Sequence, residues 1–168
     1  MSKILTINVE KCTGCRTCEI ACSLKHAGEF NPARSRIHNI SSPEEGFYLP
    51  VACLQCSEPF CVQICPNGAI TRDEITGIVK ILEKRCVGCK MCLLACPFGS
   101  ITFDSKEEKA IKCDLCDGEP ECVAFCATGA LEFKEAEIAV KFKKRALSDR
   151  LKEIYKGISF KEDLELVR

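Results

Sequence analysis

The sequence predicts an α+β fold of low regular secondary structure, in which short hairpins and helices surround cysteine-held metal and a helical tail follows. Three observations lead there. The chain has 168 residues, 16 of them cysteine, far above ordinary usage. The cysteines fall in four groups of four with none left over. A short segment after the last cysteine of a group repeats three times, each copy ending in the start of a strand.

Composition narrows the function classes. The length suits one domain or two very small ones. There are 24 basic and 24 acidic residues, so no basic surplus argues for nucleic acid and no acidic tail for a solvating segment. The apolar stretches fall far short of a membrane span. The N-terminus offers no apolar signal core and no twin arginine, so a cytoplasmic protein is expected. A reducing cytoplasm argues against disulfides and for thiolates holding metal.

The elements follow in chain order. Residues 2–9 alternate polar and apolar through Ile4, Leu5, Ile7 and Val9, which predicts an opening strand. A short helix is expected from Cys18 to Leu24. Lys25 to Val51 holds Asn31-Pro32, Ser41-Ser42-Pro43 and Gly46 and reads as a loop-rich insertion that either docks a partner or caps the first cysteine group. Residues 69–81 predict a hairpin with arms Ala69 to Arg72 and Ile78 to Ile81 and a turn from Asp73 to Gly77. A second short helix is expected at Cys92 to Cys96. Residues 100–112 predict another hairpin, with Ile101 and Phe103 opposite Ala110 and Ile111. The repeat reads Pro66-Asn67-Gly68-Ala69-Ile70, Pro97-Phe98-Gly99-Ser100-Ile101 and Ala127-Thr128-Gly129-Ala130-Leu131. Its glycine predicts a turn with unusual dihedrals, and the Ile or Leu a strand start. Residues 140–156 carry Leu147, Leu151 and Ile154 at helical spacing, continued by Ile158, with Lys141, Lys143, Lys144, Arg145, Arg150, Lys152 and Lys156 against Asp149 and Glu153. Such a basic amphipathic helix packs on its own core, lies along a partner, or rests on a membrane surface.

The cysteine groups carry the chemistry. Cys12, Cys15, Cys18 and Cys22, and Cys86, Cys89, Cys92 and Cys96, both read Cys-x-x-Cys-x-x-Cys-x-x-x-Cys. Bacterial ferredoxins ligate 4Fe–4S clusters with this run. Three thiolates within seven residues let a tight loop wrap one cluster. The fourth lies on the segment leaving the loop and, in two-cluster ferredoxins, ligates the neighbouring cluster. Cys53, Cys56, Cys61 and Cys65 widen the middle gap to four residues, and Cys113, Cys116, Cys122 and Cys126 widen it to five. Zinc prefers two separated Cys-x-x-Cys pairs, which a third cysteine three residues on does not suit. Disulfides between such near neighbours would be strained. Four 4Fe–4S clusters are therefore expected, adding about −8 to a neutral chain and about four more negative charges on full reduction.

No catalytic constellation accompanies them. His26 and His38 stand apart, without a paired acid or nucleophile, and read as surface or structural rather than as ligands. There is no Gly-rich phosphate loop. Every thiol is taken by the four groups. The expectation is a non-catalytic carrier of single electrons, whose potentials are tuned by burial, hydrogen bonds to sulfur and nearby charge.

With its groups in this order, the chain resembles the four-cluster iron–sulfur subunits of molybdenum and tungsten enzymes such as dimethyl sulfoxide reductase, formate dehydrogenase and formate hydrogenlyase. The likeness covers roughly residues 3–133 and rests on Cys53-Leu-Gln-Cys56, Pro59-Phe60-Cys61, the 69–81 hairpin and Cys86-Val-Gly-Cys89. The run Cys18-Glu-Ile-Ala-Cys22-Ser-Leu-Lys-His26 through Glu29-Phe30-Asn31-Pro32-Ala33-Arg34-Ser35-Arg36 is more similar to the branch that accompanies tungsten-containing aldehyde oxidoreductases and tungsten-type benzoyl-CoA reductase. The resemblance implies two ferredoxin-like halves, each with two 4Fe–4S clusters: residues 1–35 with 110–135 outside and 53–109 inside, with 36–52 as the loop-rich insertion and 136–168 as the basic tail. It implies four ligand sets: Cys12, Cys15, Cys18 and Cys126; Cys113, Cys116, Cys122 and Cys22; Cys53, Cys56, Cys61 and Cys96; Cys86, Cys89, Cys92 and Cys65. Spacing alone equally allows groups one with two and three with four.

The partners so implied are a catalytic tungsten or molybdenum pterin subunit, most simply one acting on aldehydes, and a flavin subunit or soluble ferredoxin, in a hetero-oligomer without a transmembrane segment. Two alternatives stand beside this. The same wire serves a hydrogenase, carbon monoxide dehydrogenase or formate hydrogenlyase, or the chain is a free polyferredoxin.

Overall fold

The computed structural model describes residues 3–155. Its strands form four separate two-stranded antiparallel sheets. β1 (Lys3–Ile7) pairs with β8 (Leu131–Glu135), and β2 (Ile37–Ser42) with β3 (Phe47–Ala52). β4 (Ile70–Arg72) pairs with β5 (Val79–Ile81), and β6 (Ile101–Asp104) with β7 (Lys109–Lys112). The helices are α1 (Thr17–Ala27), α2 (Phe60–Gln63), α3 (Met91–Ala95), α4 (Glu121–Ala124) and α5 (Ala136–Tyr155). Among the described residues no helix is long and apolar enough to cross a membrane.

The core is divided, and cysteine forms much of it. One part gathers Cys18, Cys22, Ile37, Cys113, Leu115, Cys122 and Leu131, with Cys53 and Cys126 packed at its edge. The other gathers Ile70, Val79, Cys92, Ile101 and Ala110, with Cys61, Cys65, Cys86 and Cys96 at its edge. The strands are too short and too few to bury a conventional apolar interior, so the cysteines lie where apolar side chains would otherwise sit.

The repeat does what its glycine requires. Gly68, Gly99 and Gly129 have φ of 57°, 59° and 63°, and strands β4, β6 and β8 begin at Ile70, Ile101 and Leu131. The 69–81 hairpin has the expected arms. In the 100–112 hairpin, Phe103 faces Ala110 as expected, but Ile111 faces Thr102 and Ile101 faces Lys112.

The insertion corrects the loop-rich expectation. Irregular chain is confined to its entry and its turn, while β2 and β3 pair over six residues each. Pro50 sits within β3 without breaking it, because each strand of a two-stranded ribbon has an outer edge where a missing N–H has no ladder partner to lose. The hairpin lies over the first cysteine loop: the Asn39 N–H donates to Glu19 Oε1 on α1 at 2.8 Å, and the Tyr48 ring stands against Gly14. Its entry is buried and pinned by charge. Ser35 and Ile37 are almost fully buried, Arg34 bonds Asp104 at 2.7 Å and Glu29 at 3.1 Å, and Arg36 pairs with Asp114 and Glu83.

Helix α5 meets β1 and β8 at its beginning, where Ala139 is buried. Further along, Leu147 and Leu151 are exposed and Arg150 pairs with Glu10, so these two leucines do not pack on the chain's own core. The side chains of Lys143 and Ile154, together with Lys156 and Ile158, lie outside the described residues.

Candidate metal centres

The four cysteine loops share one backbone device. The residue before the second cysteine is left-handed in each: Gly14 (φ 70°), Gln55 (φ 52°), Gly88 (φ 69°) and Leu115 (φ 58°). A left-handed residue curls the chain so that neighbouring cysteines face inward together. Gln55 and Leu115 hold this conformation at a steric cost of about 1–2 kcal/mol each, which concentrates strain at these loops. The third and fourth cysteines of each group are four residues apart: Cys18 and Cys22 both lie on α1, whereas Cys65, Cys96 and Cys126 follow just after α2, α3 and α4.

Two cavities show which thiols converge. One of about 170 Å³ is lined by Cys53, Cys56, Cys61 and Cys96, with Val79, Phe60 and Phe98 completing its wall. A narrower one is lined by Cys65, Cys86, Cys89 and Cys92. In both, three cysteines of one group meet the fourth of the other. Elsewhere, Cys122 lies among Cys113, Cys22 and Cys116, and Cys18 lies near Cys15 and Cys12. Cys126 packs at the edge of the same core part as Cys18.

Thiol electrostatics divide with depth. Burial pushes Cys18 and Cys113 up to about 12 and Cys92 up to about 11, and raises Cys122 as well, with neighbouring thiols adding to each. A buried thiol of this kind becomes a thiolate only when a cation replaces its proton. At Cys65 and Cys126 burial also acts upward, but hydrogen bonds from the following turn outweigh it and lower both thiols. At Cys65 the donors are the N–H groups of Ala69, Ile70, Asn67 and Gly68, with the Ala69 N–H 3.2 Å from sulfur. At Cys65 and Cys126 the turn is thus a nest of amides around the fourth cysteine of the group, and such nests favour anions. The Leu115 N–H reaches Cys113 Sγ at 3.4 Å, and the Arg36 N–H reaches Cys22 Sγ at 3.3 Å.

Three more residues belong to this environment: Gln55 and Lys112, which the sequence does not single out, and His26, which it presents as surface or structural. His26 Nε2 lies 3.5 Å from Cys116 Sγ and 3.5 Å from Asp114 Oδ1. Burial first, then the Arg36 charge, lowers its pKa. Gln55 Nε2 donates to the Cys113 carbonyl at 2.8 Å while its Oε1 accepts from the Val79 N–H at 2.8 Å. Lys112 is only 2% exposed, and its ammonium donates to the carbonyls of Cys113 (2.9 Å) and Val79. Among the described residues no carboxylate pairs with it.

These observations test whether iron–sulfur clusters suit the chain. The donor sets are all sulfur, which suits iron–sulfur clusters and zinc alike. A buried ammonium without a counter-ion costs several kcal/mol. It points to a net negative group nearby, as a thiolate-ligated 4Fe–4S cluster is and a neutral set of thiols is not. The residues present fit the group.

Comparison with known proteins agrees. A 4Fe-4S dicluster domain model matches residues 44–136, and a second 4Fe-4S dicluster domain model matches residues 11–70. The chain is 40% identical over 122 residues to the aliphatic sulfonate oxidoreductase, polyferredoxin-like subunit, of Pyrococcus furiosus, covering 73% of this chain and 70% of that protein. It is 39% identical over 149 residues to the putative electron transport protein YsaA of Escherichia coli, covering 82% and 92%. It is 36% identical over 159 residues to the electron transport protein HydN of the same species, covering 78% and 87%. The chain therefore belongs to the 4Fe-4S dicluster family of ferredoxin-type electron-transfer proteins.

Proposed function

We propose that this chain is a non-catalytic electron-transfer subunit carrying four 4Fe–4S clusters, and that it serves a tungsten or molybdenum pterin oxidoreductase, most simply one acting on aldehydes. The ligand sets are crossed within each half: Cys12, Cys15, Cys18 with Cys126; Cys113, Cys116, Cys122 with Cys22; Cys53, Cys56, Cys61 with Cys96; Cys86, Cys89, Cys92 with Cys65. The observation that carries this is the cavity where Cys53, Cys56 and Cys61 meet Cys96, from the next group along the chain.

The arrangement favours a row. The outer two sets share helices α1 and α4, the inner two share α2 and α3, and the middle pair meets where Cys53 packs beside Cys113. Bound clusters supply reversible one-electron chemistry. The chain's own residues hold the sulfurs at fixed positions, surround them with N–H donors, and limit water by burial. The Pyrococcus furiosus relative, named as a subunit of an oxidoreductase, supports a catalytic partner. The absence of a catalytic constellation in the sequence supports a carrier rather than an enzyme.

The test is anaerobic purification of the native complex through a tag on this chain, followed by metal analysis. Tungsten or molybdenum beside about 16 irons per chain is the expected result. Nickel would assign the chain to a hydrogenase-type or carbon monoxide dehydrogenase-type partner. A lone chain with about 16 irons would mark a free polyferredoxin and overturn the pterin-enzyme assignment.

A further inference from the structure

Lys112 is the least expected charge in the molecule. It ends β7, one residue before Cys113, and is 2% exposed. Its ammonium is fixed by two carbonyls that belong to different sides of the structure. One is that of Cys113, a thiol of the outer half. The other is that of Val79, which lines the cavity of Cys53, Cys56, Cys61 and Cys96. Gln55, between Cys53 and Cys56, joins the same two backbone sites by bonding the Cys113 carbonyl and the Val79 N–H. The Cys113 carbonyl thus accepts from both side chains. Lys112 already acts on the inner set: burial raises the Cys61 thiol, and the Lys112 charge pulls against that rise.

The many basic residues at the surface are screened by water, and their influence on a buried redox centre falls off steeply. A buried charge is screened far less. Resting on the four-cluster reading, we propose that Lys112 is the fixed counter-charge shared by the two central clusters, the set of Cys53, Cys56, Cys61 and Cys96 and that of Cys22, Cys113, Cys116 and Cys122. Reduction adds one negative charge to a cluster, so a nearby fixed cation favours the reduced form of both. Lys112 therefore holds up the potentials at the step where an electron passes between the halves, and Gln55 keeps it in place.

The test uses the full holoprotein with Lys112→Met, Lys112→Gln and Lys112→Arg, read by iron content and by redox titration followed with electron paramagnetic resonance. Individual signals are assigned by their loss in Cys56→Ala and Cys116→Ala. In the two neutral variants, the reduced-to-oxidised ratio of the two central clusters at a fixed solution potential is expected to fall about tenfold, equivalent to about 59 mV for one electron. The two end clusters should hold their potentials, and Lys112→Arg should restore the central pair. Unmoved potentials in a neutral variant that keeps four clusters, or an equal shift of all four, would overturn the proposal. If the neutral variants lose clusters while Lys112→Arg keeps them, the requirement for charge stands. If Lys112→Arg loses them too, Lys112 is a packing residue and the proposal fails. Fewer than four clusters in the unaltered protein would instead overturn the four-cluster reading itself.

Discussion

The crossed ligand sets can be tested by making cysteine variants in pairs. Cys56 and Cys96 line one cavity although they lie 40 positions apart, while Cys89, closer in sequence to Cys96, lines another. If Cys56 and Cys96 ligate the same cluster, Cys56→Ala with Cys96→Ala damages that cluster twice and leaves three intact. Cys89→Ala with Cys96→Ala damages two clusters and leaves two intact. The two changes in the first pair are non-additive because they act on one object, and those in the second are additive because they do not. One cluster is about four irons, or about a quarter of the total, so the pairs differ by a quantity well within reach of measurement. The assay is Mössbauer spectroscopy of anaerobically reconstituted protein, counting iron in intact 4Fe–4S environments. Two intact clusters in the Cys56/Cys96 pair and three in the Cys89/Cys96 pair would refute crossing and show that each group binds its own cluster. Three intact in a Cys96/Cys116 pair would instead show that groups three and four exchange their last cysteines.

Other perturbations read other parts of the structure. A Cβ at Gly88 would stand 2.5 Å from the Glu108 carbonyl oxygen, and φ there is +69°. Gly88→Ala should cost about 1–3 kcal/mol in thermal stability and loosen the cluster of Cys86, Cys89 and Cys92, seen as faster iron loss to a chelator. Arg34→Met removes the partner of Asp104, whose carboxylate is 5% exposed, and so leaves a buried charge without its cation; the melting temperature should fall with iron content unchanged at ambient temperature. Burial raises Cys18, Cys113 and Cys92 to between about 11 and 12, so each must release a proton on binding iron. Protons therefore compete with iron, and chelator-driven bleaching of visible absorbance should accelerate as pH falls from about 8 to about 6. A rate that rises with pH would contradict this.

Much of the site was legible in the sequence because the signals were local. The cysteine spacings, the 69–81 hairpin and the turn glycines at positions 68, 99 and 129 all depend on residues a few positions apart. What escaped depended on distance or on exceptions to local rules. β1 was visible as a strand, but nothing local shows that Ile7 pairs with Leu131. Asn31-Pro32, Ser41-Ser42-Pro43 and Gly46 make the insertion read as loop, whereas the two-stranded ribbon tolerates Pro43 at its turn and Pro50 on its outer edge. The register of β6 and β7 depends on the tightness of the turn between them, which the charged residues there do not reveal. Nothing local marks Lys112 as buried, and His26 reads as a surface or structural ring standing apart from any partner. Only the fold brings the first against the Cys113 and Val79 carbonyls and the second against Cys116. The αL residues at Gln55 and Leu115 were hidden because only Gly14 and Gly88 advertise that conformation by residue type.

Whether the 16 cysteines hold four 4Fe–4S clusters is read from iron and acid-labile sulfide per chain on anaerobically purified protein, with Mössbauer spectra of the same sample. About 16 irons and about 16 sulfides per chain, all in 4Fe–4S environments, is the expected result. About eight irons, or stoichiometric zinc in place of iron, would contradict it.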